Sequence, residues 1–141
     1  MTNKIASIVF LLALSLTVAA QSAEKTFSKS FNTDGKGTIS LDLPGVIDLK
    51  VWDNPTIRIG ITVSIPTGSE AMLGELANIG RYNLVATPKG DVLTIQAPNM
   101  QKQIRVKGQE LRETLTYVVF VPKDLTIDIL PNAETVAANR K

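Results

Sequence analysis

Cysteine and histidine are both absent from this chain of 141 residues. Without a thiol there is no disulfide, no thiolate nucleophile and no lipid attached through cysteine. Without an imidazole the commonest general base is missing, and with neither group there is no nitrogen or sulfur ligand for zinc or copper. Aromatic residues make up only 5% of the chain, with a single tryptophan, so a core has to be assembled from aliphatic side chains. Charge of one sign is also missing: 15 Lys and Arg stand against 13 Asp and Glu, a net +2. Such a balance produces no strong field and gives no reason to expect a nucleic-acid partner. The one basic grouping, Lys102, Arg105, Lys107 and Arg112, is diluted by Glu110 and Glu113 and reads as the wet side of a strand. No glycine-rich phosphate loop or dinucleotide fingerprint occurs.

Long apolar runs are equally scarce, and the one present stands at the start. Lys4 precedes Ile8 to Leu14, the run continues through Leu16 and Val18, and it closes on Ala19, Ala20, Ser22 and Ala23. A basic start, a short apolar stretch and small residues at the end are the layout of a secretory signal peptide. Residues 1–23 are assigned to it, with cleavage expected between Ala20 and Glu24. The run is too short, and too interrupted by Ser7, Ser15 and Thr17, to remain as a stable membrane span. The protein is therefore expected to be exported, to the periplasm or the extracellular space. Removal of the leader leaves about 118 residues, enough for one domain that buries roughly two-thirds of its unfolded surface.

Residues 24–130 are expected to form that domain, mainly β, as an antiparallel two-layer sandwich or a short β-roll. Short segments alternate apolar and polar residues between turn signals, which is the pattern of a sheet with one dry face. The strongest is 56–65, where Ile57, Ile59, Ile61, Val63 and Ile65 share a face opposite Arg58, Gly60, Thr62 and Ser64. A slip of one residue turns all five aliphatics into water, so its register is fixed. Ile39, Leu41 and Leu43 form a similar row, as do Ile47, Leu49 and Val51. Leu115, Tyr117, Val119 and Val121 are backed by Val118 and Phe120, so that strand is expected to be central and covered on both sides. Between about 69 and 79 the period becomes helical through Met72, Leu73, Leu76 and Ile79, with Thr67 and Glu70 as a capping box and Gly80 as a stop. Residues 131–141 lack an apolar face and read as a flexible C-terminal tail.

Asn32 to Ser40 resembles the opening of an EF-hand calcium loop, with Gly37 at its sixth position and Ile39 at its eighth. The fifth position is the cation Lys36 and the twelfth is Leu43 in place of a bidentate glutamate, so a glycine-rich hairpin turn is expected instead. No catalytic, cofactor-binding or metal-binding residue is identified. Trp52 falls on the polar side of its strand beside Lys50 and Asp53, with Arg58 following the turn. These four are the candidate binding platform; the alternative for Trp52 is a ring that only packs under a loop.

The stretch from Gly45 to Ile59, with its Val51-Trp52-Asp53-Asn54-Pro55 turn, and the stretch from Tyr117 to Ile129, with its Pro122-Lys123-Asp124-Leu125 corner, together resemble an exported bacterial adhesin-like family of β-rich domains. The resemblance runs over about residues 25–130 and rests on turn chemistry and strand pattern. Members continue into further glycine-marked strands stacked as a β-solenoid, so this chain resembles a truncated version. The resemblance implies a non-enzymatic binding module of the cell envelope, with an unknown protein or glycan as partner. Two other classes compete with it. A structural subunit assembling through sheet edges, as a homo-oligomer, fits the strand pattern. A serine–lysine hydrolase, working without histidine or cysteine, is the weakest of the three, because no lysine falls in an apolar setting that lowers its pKa.

Overall fold

The structure, a computed structural model, describes residues 21–131. Most of the expected signal peptide (residues 1–20) and nearly all of the expected tail (residues 132–141) lie outside the described residues. The elements are β1 (Ala23–Asn32), β2 (Thr38–Asp42), β3 (Val46–Trp52), β4 (Thr56–Ile65), α1 (Glu70–Asn78), β5 (Val85–Lys89), β6 (Val92–Gln96), β7 (Arg105–Val106), β8 (Gln109–Glu110), β9 (Thr114–Pro122) and β10 (Thr126–Ile129). A 3-10 turn at Pro98–Gln101 lies between β6 and β7.

Two four-stranded sheets make the sandwich. The first has the order β1-β4-β9-β3 and the second β10-β2-β6-β5, with β7 and β8 as a separate small hairpin. The β4 row meets Leu115, Tyr117, Val119 and Val121 of β9 in register, and all nine side chains are buried. Ile39, Leu41, Leu43, Leu93 and Ile95 supply the second sheet's share of the same aliphatic core. That is the dry face the alternation requires.

Antiparallel pairing joins β1 to β4, β4 to β9 and β5 to β6, whereas β3–β9, β10–β2 and β2–β6 are parallel. The physical reason lies in the turns at 33–37, 43–45 and 123–125, which carry the chain from one sheet to the other instead of back alongside itself. The loop resembling an EF-hand is one of these crossings and not a hairpin. Asp34 and Gly35 take left-handed φ values of 53° and 71°. The Gly37 amide donates to Asp91 Oδ1 at 2.9 Å, and Lys36 Nζ donates to the Gly90 carbonyl at 2.7 Å, so the loop's own groups are tied to the β5–β6 turn.

The helix starts one residue later than expected and is capped by Ser69, not Thr67: the Ser69 hydroxyl accepts from the Met72 amide. Leu73 and Leu76 enter the core. Gly80, at φ 88°, lets the chain reverse, with its own amide donating to Ala77 and that of Arg81 donating to Leu76. This Schellman arrangement turns Arg81 and Tyr82 inward at the helix end.

One side of the sandwich is closed. There Phe27 of β1 stacks on Tyr82 with ring centroids 5.5 Å apart, and Lys29 donates to the Leu84 carbonyl. The opposite side, at β3 and β10, is open. The inward rows of both sheets run out into solvent there, leaving Leu49, Val51 and Ile129 exposed by 38%, 62% and 36%. Sequence alternation placed Leu49 and Val51 on the inner face, yet their strand is an edge with no described strand beyond it. Likewise β9 is central, but Val118 and Phe120 on its outer side are only half-buried. The described residues place no second layer over them.

Candidate functional site

The register of the first sheet decides which polar side chains meet. Lys50 of β3 and Arg58 of β4 both pair with Phe120 of β9, so the three stand in a row across the outer face. Trp52 lies next along β3, with its ring 5.2 Å from that of Phe120 at an interplanar angle of 37°. The indole N–H donates to the Thr56 carbonyl at 2.8 Å, which fixes the ring across the Asp53-Asn54-Pro55 turn. Asn54 holds the other end of that turn, its Oδ1 accepting from the Thr56 amide and hydroxyl. Tilted aromatic pairs at this separation are favourable beyond the area they bury.

The four expected platform residues are thus brought to one corner. Arg58 is exposed and its Nε donates to Ser28 Oγ at 3.1 Å. Lys50 lies 3.9 Å from Asp48 on its own strand, with both side chains more than half exposed. Asp53 pairs with Lys123 across two turns in full solvent, a contact that contributes little to stability. Phe120 is the member that sequence reading missed, because an apolar outer face looked like a covered one.

A second cluster is buried. Arg81 donates to the carbonyls of Asn99 and Lys102 and to Glu113 Oε1 at 2.6 Å, joining the helix end, the 3-10 turn and the irregular segment leading into β9. Both side chains of the ion pair are almost wholly inaccessible, at 7% and 4%. Arg81 Nε, Glu113 Oε2 and the Tyr82 hydroxyl make no regular hydrogen bond. Even so, Glu113 lies close enough to act on Tyr82: burial first, and then that carboxylate, push the phenol far above its ordinary value of 10.0. No sequence signal links Arg81 to Glu113, since neither has a partner at helix or strand spacing.

The sign of the Tyr82 shift gives a pH dependence. A phenol that ionises only in the unfolded chain contributes stability fully present below pH 10.0, which is lost as pH rises above it. Alkaline titration of unfolding by circular dichroism is expected to show wild-type stability falling beyond that point. Tyr82→Phe is expected to flatten this limb.

The basic residues Lys107 and Arg112 line a groove of about 590 Å³ with Pro66, Met72, Val106 and Leu111, between the β7–β8 hairpin and the start of α1. Among the described residues no three acidic groups approach closely enough to hold a metal ion, and no helix is long and apolar enough to cross a membrane.

No family model matches the chain and no curated protein does. Among solved structures, the crystal structure of a candidate cell adhesion protein from Clostridium sporogenes is similar at a TM-score of 0.41 and 11% identity, over 76% of this chain and 46% of that one. The chain thus spans less than half of that neighbour.

Proposed function

We propose that this protein is an exported, non-enzymatic binding module of the cell envelope, adhesin-like as the sequence resemblance implies, which meets a surface glycan through the outer face of its first sheet. The observation that supports this reading is the fixed Trp52–Phe120 pair between Lys50 and Arg58, on a face over which the described residues place no layer. An immobilised aromatic surface receives the apolar side of a sugar ring, and the flanking cations donate hydrogen bonds to its hydroxyls or acidic substituents. A ring held by its own N–H bond loses little freedom on binding. Export rests on the leader. Within the expected cleavage range, a cut after Ala20 keeps the Gln21 carbonyl that accepts from the Gly68 amide and the buried Ala23 that starts β1.

The test is binding of purified protein to an array of cell-surface glycans, with unfolding measured on the same samples. Arg58→Ala is expected to leave stability within about 0.5 kcal/mol, as for other exposed positions, while weakening binding about tenfold through loss of a charge-assisted contact. Trp52→Ala is expected to cost about 1–2 kcal/mol of stability, through the lost ring contact and hydrogen bond, and to abolish binding. Retained glycans are expected to stay uncleaved. Wild-type protein that binds no glycan, or both variants binding like wild type, overturns the reading.

A further inference from the structure

The open side carries a second interaction surface, the free edge of β3, which shares Lys50 with the outer-face platform. β3 pairs with β9 along one edge and with no described strand along the other, and its inward row is left exposed. An edge of this kind invites another strand, and natural proteins guard such edges with charges. Here the guard consists of two opposite charges spaced symmetrically about one residue: Asp48 and Lys50 flank Leu49.

From this symmetry we infer that β3 pairs antiparallel with β3 of a second copy of this chain, about a two-fold axis through Leu49. That register sets Asp48 of each copy opposite Lys50 of the other, on the outer face. Leu49 then meets its own mate, and Ile47 meets Val51, on the inner face. Neighbouring registers do not satisfy both charges. Centring on Asp48 opposes two carboxylates, and centring on Lys50 opposes two ammonium groups. Parallel pairing in register opposes both like pairs, which is destabilising.

A two-fold contact is isologous, so one self-complementary strand is sufficient to build it. The product is a continuous eight-stranded sheet, β1-β4-β9-β3 meeting its own reversed copy. Leu49 and Val51 lose their solvent exposure to each other's apolar row. The two Trp52 corners then lie on the same sheet face at fixed separation, one beyond each end of the paired segment.

Sedimentation equilibrium of the purified protein tests this pairing. The wild type is expected to be dimeric at high-micromolar concentration. Lys50→Glu and Asp48→Lys, each at an exposed position, are expected to weaken association by tenfold or more, with melting temperatures equal to the wild type's at dilutions where all three are monomeric. The double exchange of Asp48→Lys with Lys50→Glu restores opposite charges in the same register and is expected to recover the dimer. Because the chain has no cysteine, Leu49→Cys reports the axis directly. It is expected to oxidise to a covalent dimer, whereas Val51→Cys is not, since its counterpart is Ile47. A wild type that stays monomeric, a double exchange no tighter than the single variants, or cross-linking at Val51→Cys in preference to Leu49→Cys overturns the assignment.

Discussion

Replacing Arg81 with Met is expected to destabilise the fold by about 3–5 kcal/mol, the usual cost of removing one partner from a buried ion pair. The guanidinium ties the helix end to two other segments, through the carbonyls of Asn99 and Lys102 on one and the carboxylate of Glu113 on the other. A methionine fills most of the same volume, so the loss is one of charge and hydrogen bonds rather than of packing. What remains in Arg81→Met is a carboxylate with almost no access to water and no cation beside it. Removing both members, as Arg81→Met with Glu113→Leu, is expected to return most of the lost stability, because buried pairs are readily replaced by apolar groups of similar size. Urea unfolding of the four proteins in this cycle measures the coupling directly. Equal destabilisation of the single and double variants is the result that contradicts the argument.

Gly45→Ala is expected to cost about 3 kcal/mol, a value set by strain at a glycine-only conformation. Gly45 sits in the crossing between β2 and β3 at φ 134°, and a Cβ there falls 2.5 Å from the Leu115 carbonyl oxygen. Leu115 is buried in β9 and held in register by Val63, so the obstacle is backbone that does not swing aside. The start of β3 has to move away from the central strand it pairs with. Gly35→Ala is the informative control: it also has positive φ, at 71°, but no atom lies within 4 Å of its Cβ position. Thermal unfolding is expected to show a much larger fall for Gly45→Ala than for Gly35→Ala.

The parts of this fold that were legible in the sequence are those governed by local periodicity. The 56–65 row, the helix near 70–78 and the Gly80 stop all depend on which face of a single element is dry. What was not legible depends on which elements become neighbours. Leu49 alternates as a core residue does, and only the sheet order shows that β3 has no strand beyond it. Phe120 gave an apolar outer face that fits a covered strand as well as an aromatic platform. The turn at 33–37 carries hairpin chemistry in Asp34 and Gly35, yet the strands on either side join different sheets. Trp52, Asp53 and Lys50 come together because they are adjacent in the chain. Arg58 joined them because a short turn returns it. Arg81 and Glu113 meet only through tertiary structure, which alternation and spacing do not encode.

Strand order also governs when the molecule can fold. β9 lies between β4 and β3, and β10 pairs with β2, matching Thr126 to Thr38 and Ile129 to Leu41. The first sheet waits for β9, which fills the slot between β3 and β4, and the second waits for β10, the last strand of the described residues. Contacts this distant in sequence form slowly, since the long intervening loops must close before anything is gained. Both sheets therefore close only late in synthesis, and the nascent chain carries unpaired strand edges until they do.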